Sequence, residues 1–93
     1  MTIIAVDDEK IALEGLVEAI ENVVPDADVY GFRDAKMALD FVSNHFCDVA
    51  FLDIEMRNVN GIELARRVKI SNPRVNIIFA TGYDEYMSQA FLL

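Results

Sequence analysis

The stretch Val49-Ala50-Phe51-Leu52-Asp53-Ile54-Glu55 decides the fold. A run of apolar residues leads straight into a carboxylate, and a turn region at 56–61 follows. An uninterrupted apolar run has no polar face, so it suits a central parallel strand buried on both sides. Asp53 then stands where that strand leaves the core. In open α/β sheets the carboxyl ends of the strands are where ligands bind, so an acid at that point calls for a chemical reason.

The rest of the chain alternates around this strand. Residues 3–6 form a first apolar, β-branched strand ending at Asp7-Asp8. From Glu9 the period becomes helical, with Ile11, Ala12, Gly15, Leu16, Ala19, Ile20 and Val23 recurring at three- and four-residue steps, and Pro25 ends the helix. Asp7 or Asp8 is positioned to cap it. Val29, Tyr30 and Phe32 make a second strand, and Arg33-Asp34 opens a second helix with Ala35, Ala38, Leu39 and Val42 inward. The third strand spans 48–53. Gly61 opens a third helix with Ile62, Ala65 and Val68 inward, while Arg66, Arg67 and Lys69 face water. After the Asn72-Pro73 turn, residues 75–80 form a second largely apolar run that ends at Thr81-Gly82. A fourth helix begins at Asp84, with Met87, Ala90 and Phe91 as its apolar positions. Strand followed by helix, four times over with right-handed crossovers, predicts a parallel, doubly wound α/β sheet in one domain over 1–93.

Composition narrows the function classes. A chain of 93 residues with 54% hydrophobic residues can build one core. Its net charge of −8 leaves no basic patch for nucleic acid. A single cysteine, Cys47, excludes an internal disulfide and reads as a small buried hydrophobe. The only histidine, His45, reads as an exposed helix-end residue. No apolar run approaches membrane-spanning length and no basic leader precedes the first strand, so a soluble, cytoplasmic protein is expected.

Three of the four strands end in a polar group: Asp7-Asp8, Asp53 and Thr81. A parallel sheet brings these ends to one edge. Clustered carboxylates repel one another and need compensation. Oxygen donors with few carboxylates suit Mg²⁺, and no second histidine or cysteine supports zinc. A cation beside Asp53 would make that carboxylate a nucleophile toward a phosphoryl group, giving an aspartyl-phosphate. Thr81 would donate its hydroxyl to a phosphate oxygen, and Gly82 would leave room for close approach. Each feature alone has a bland explanation: a cap, a turn former, a Thr-Gly turn. Their conjunction at successive strand ends is what points to chemistry.

The motifs Val6-Asp7-Asp8-Glu9, Phe51-Leu52-Asp53-Ile54-Glu55-Met56 through Asn60-Gly61, and Ile78-Phe79-Ala80-Thr81-Gly82 carry a resemblance to the receiver domain of two-component response regulators. The resemblance implies a flavodoxin-like fold in which Asp53 accepts the phosphoryl group of a histidine kinase's phosphohistidine. It also implies that Asp8 and Asp53 bind Mg²⁺ directly, that Asp7 acts through water, and that Glu55 contributes its backbone carbonyl. Thr81 takes the place of the switch residue. The string from Phe79 to Phe91 is similar to transcription regulators carrying a LytTR-type DNA-binding domain.

Two departures stand out. Family receivers continue into a fifth strand ending in lysine and then a fifth helix, and the chain stops at Leu93 before either. Lys10, Lys36 and Lys69 lie in or beside helices, so none can replace that lysine. This implies an exposed backbone edge at 75–80 and self-association, through that edge or the fourth helix, or marginal stability. Arg57 stands where many family members have proline, which implies a looser loop. Two other classes follow from the same residues. One is a dimerisation or binding module that keeps the fold without phosphorylation. The other is a metal-dependent phosphatase using Asp53 and Glu55. A dinucleotide-binding domain lacks the required Gly-x-Gly-x-x-Gly after the first strand.

Overall fold

The computed structural model describes residues 1–80, which form four strands and three helices. These are β1 (Thr2–Val6), α1 (Lys10–Val23), β2 (Asp28–Phe32), α2 (Ala35–Asn44), β3 (Val49–Leu52), α3 (Gly61–Ser71) and β4 (Asn76–Phe79). Thr81, Gly82 and the expected fourth helix lie outside the described residues. The strands make one parallel sheet in the order β2-β1-β3-β4. This is the doubly wound arrangement that the alternation of strand and helix predicts.

The sheet separates two apolar clusters. On one face Ile4, Val6, Ala50 and Leu52 pack with Ala38 and Val42 of α2 and Leu64, Ala65 and Val68 of α3. On the other, Ile3 and Ala5 pack with Leu13 and Ile20 of α1. Full burial of each Leu, Ile or Val side chain contributes about 1.5–3 kcal/mol, so β1, buried at Ile3, Ile4, Ala5 and Val6, is the strongest anchor. Cys47 belongs to the first cluster, and burial pushes its thiol up from the ordinary value. His45 ends α2 exposed, stacked on Phe41 at a centroid distance of 4.2 Å.

Three details differ from the sequence reading. In α1 the residues on the sheet are Leu13 and Ile20, flanked by Leu16 and Val17. Ile11, Ala12, Gly15, Ala19 and Val23 are exposed. The helix carries apolar residues around most of its circumference, and its bulkier branched residues take the sheet side. In β4, Asn76 and Ile78 are exposed while their neighbours are half-buried, so this strand alternates instead of being buried on both faces. In α3, Arg66 and Arg67 face water and pair with Glu63 at 3.3 and 3.4 Å. Lys69 instead folds back, its ammonium donating to the Val75 carbonyl at the entry to β4.

Candidate functional site

Register places the site. Val6 of β1 lies beside Leu52 of β3, and Leu52 beside Phe79 of β4. The residue after each strand continues the ladder: Asp53 N–H donates to the Val6 carbonyl at 3.0 Å, and Ala80 N–H to the Leu52 carbonyl at 2.9 Å. The two central strands therefore deliver Asp7, Asp8 and Asp53 to one edge. All three are half-buried, and each offers a carboxylate oxygen within 4.8 Å of the others.

Neither Asp7 nor Asp8 caps α1 in the expected way. The N-cap position is Glu9, whose side chain makes no capping hydrogen bond. Asp7 Oδ1 accepts from Glu9 N–H at 2.9 Å, one residue too early to satisfy the helix interior. Asp8 Oδ2 turns to the loop after β3, accepting from Arg57 N–H at 2.9 Å with Arg57 Nε 3.5 Å away. The Asp8 carbonyl accepts from Nε and Nη2 of Arg33, both at 3.2 Å. Two guanidinium groups thus grip Asp8, one on its carboxylate and one on its backbone.

Asp53 carries the electrostatic signature of the cluster. Burial, first, and the nearby Asp7 carboxylate, second, push its carboxyl above the ordinary value; Asp8 and Glu9 add to this. The backbone N–H of Glu55 opposes the rise by hydrogen-bonding the carboxylate. Three half-buried carboxylates gathered within reach of one another form a site that a hard divalent cation fits, because the cation relieves their mutual repulsion.

The loop between β3 and α3 is tightly folded against Asp53. Glu55 and Asn60 form an antiparallel bridge, and Gly61 N–H donates to the Ile54 carbonyl at 2.7 Å. Asn60 Oδ1 caps α3 by accepting from Ile62 N–H at 2.7 Å. A Cβ at Gly61 would collide with the Asp53 carbonyl oxygen and stand 2.8 Å from its carbonyl carbon. An open cleft of about 1010 Å³, lined in part by Glu9, Lys10, Arg33 and Arg57, adjoins Asp8.

The sequence-predicted Asp7, Asp8 and Asp53 are brought together, and Glu55 sits in the adjoining loop. Thr81 and Gly82 lie outside the described residues. Sequence reasoning missed the grip of Arg33 and the reach of Arg57. The looser loop expected from Arg57 in place of proline is not what the structure has. Proline lacks the N–H that here ties the loop to Asp8, so arginine adds a tether.

Comparison with known proteins agrees with this fold. Residues 3–92 match the response regulator receiver domain family. Sensory transduction protein LytT of Bacillus anthracis is 36% identical over 93 residues, covering 98% of this chain and 37% of that protein. Transcriptional regulatory protein LytR of Staphylococcus aureus is 30% identical, covering the whole chain and 38% of that protein. The chain thus spans little more than a third of the length of these curated relatives. Among solved structures, response regulator TrrA of Thermotoga maritima, in complex with Mg(2+)-BeF, superposes with a TM-score of 0.80 at 31% identity, over 94% of this chain and 74% of that one. Chemotaxis protein CheY4 of Vibrio cholerae, at 18% identity, shares the fold with a TM-score of 0.83 over 98% of this chain and 78% of that one. The chain belongs to the response regulator receiver domain family.

Proposed function

We propose that residues 1–93 form one receiver domain that works as a phosphorylation switch, with Asp53 as the acceptor. The observation that carries this is the Asp7-Asp8-Asp53 cluster at the carboxyl ends of the two central strands. An Asp53 carboxylate oxygen attacks the phosphorus of a phosphohistidine. The P–N bond breaks, the imidazole leaves with the electron pair, and an acyl phosphate forms on Asp53. Asp8 and Asp53 would hold Mg²⁺ directly, with Asp7 through water and the Glu55 carbonyl completing the set. The bound ion would supply positive charge to the phosphoryl oxygens. Mg²⁺ in the TrrA complex supports that choice of cation.

Burial keeps the Asp53 carboxylate poorly solvated, the neighbouring acids repel its charge, and the Glu55 N–H hydrogen-bonds it. Thr81 would turn its hydroxyl to a phosphate oxygen, and Gly82 would admit the group close to the backbone. The chain therefore acts as a switch and not as a turnover enzyme. A sensor histidine kinase is the donor in this reading, and the cytoplasm is where this chain meets it. The names of LytT and LytR support an output in signal transduction and transcription. A second copy of the chain along the β4 edge is a further partner. Incubation with a small phosphodonor and Mg²⁺ tests the assignment. One phosphoryl group per chain is expected, acid-stable and base-labile, and lost in Asp53→Asn; label that persists in that variant would overturn it.

A further inference from the structure

We infer that Arg57 governs how tightly the acidic cluster takes a divalent cation, by holding Asp8 while the ion is absent. This rests on the metal-site reading above and assigns a positioning role to a residue outside the acidic set. Two contacts from one residue fall on one oxygen. Arg57 N–H donates to Asp8 Oδ2 at 2.9 Å, and Arg57 Nε stands 3.5 Å from the same atom.

The two contacts act in opposite directions on cation binding. The main-chain hydrogen bond fixes the carboxylate without adding net charge, so it preorganises a ligand. The guanidinium brings a full positive charge to a carboxylate that the cation also needs. In the metal-free state that charge offsets part of the repulsion among Asp7, Asp8 and Asp53. When a divalent ion enters, the ion pair stretches and the two cations repel.

Exposure tells how the trade is made. The Asp8 side chain is 17% exposed while that of Arg57 is 82% exposed. The arginine therefore moves into solvent at small cost, and the aspartate stays in place. Arg33 differs, since its guanidinium donates to the Asp8 carbonyl and leaves the carboxylate oxygens to others. Among the described residues, Arg57 is thus the cation that competes at the ligand itself. The cluster reaches its full affinity only once that side chain has swung away.

Titration calorimetry with Mg²⁺ alone on the full chain tests this, using Arg57→Ala, Arg57→Lys and Asp8→Asn. Arg57→Ala keeps the N–H and loses the charge, so it should bind Mg²⁺ about two- to fivefold more tightly in dilute buffer. The gap should close toward unity at about 0.5 M monovalent salt, because an exposed charge is screened there. Arg57→Lys should stay near wild type. A purely structural role for Arg57 would weaken binding in Arg57→Ala and leave the salt dependence unchanged. Unchanged or weaker binding in Arg57→Ala, with Asp8→Asn still losing Mg²⁺, overturns the role of Arg57 alone. Asp8→Asn binding Mg²⁺ as wild type does would overturn the metal site on which it rests.

Discussion

Gly61 has no side chain where the first turn of α3 presses on the backbone of Asp53. A Cβ there meets the Asp53 carbonyl, and backbone atoms cannot step aside as a flexible side chain can. Gly61→Ala therefore has to shift either α3 or the acceptor. Ile62 and Leu64, buried just beyond, resist the first movement. The expected outcome is a loss of about 1–3 kcal/mol in denaturant unfolding, the usual cost of overpacking. Mg²⁺ affinity should fall with it, because Asp53 moves relative to Asp8. A variant with wild-type stability and wild-type Mg²⁺ affinity would show that the contact imposes nothing. Neither this contact nor the Arg57 tether has a signal in the sequence. Both arise where a loop returns on a strand that ended several residues earlier. The acids were legible because each closes an apolar run, whereas Gly61 read as the start of a helix and the close of a family motif, with no hint of its contact with Asp53.

At the scale of elements, patterning revealed the strands and helices and their alternation, yet it left open which face of each is covered. The run at 75–80 looked like the strand at 49–52, but β1 and β4 flank β3, whereas β4 pairs only with β3 among the described residues. Sheet position, which no local pattern encodes, sets the exposure of Asn76 and Ile78. The same holds for α1, where apolar residues on two sides compete and bulk selects Leu13 and Ile20. The half-exposed Ile78, on a strand whose outer backbone edge has no strand partner among the described residues, is a template for pairing with another chain. The 93-residue polypeptide should therefore show a weight-average mass that rises with concentration in sedimentation equilibrium. Ile78→Lys, which puts a charge on that strand, should lower the rise. A monomer at every micromolar concentration tested would remove the edge as an interface.

For the whole molecule, three carboxylates at one edge of a chain of net charge −8 make stability depend on both pH and divalent cation. The Asp53 carboxyl is raised from its ordinary value of 3.8, so the folded state holds its proton more firmly than the unfolded chain does. Where the folded state binds more protons, stability falls as pH rises. The loss begins near the unfolded value, runs up to the raised folded value, and is fully present above it. Asp53→Asn lacks this group. In metal-free buffer its melting temperature should pull ahead of wild type as pH climbs from about 3.8, then hold a constant lead. Mg²⁺ reverses the order, because it binds the deprotonated carboxylates of the wild type. At about 100 times its dissociation constant a ligand adds about 2.7 kcal/mol. For a domain of this size each kcal/mol moves the midpoint by about 4–8 °C. Wild type should therefore overtake Asp53→Asn at neutral pH with saturating Mg²⁺ and lose that advantage again in acid. A gap between the two proteins that is flat with pH and indifferent to Mg²⁺ would mean that the acids at the strand ends neither repel one another nor share a cation.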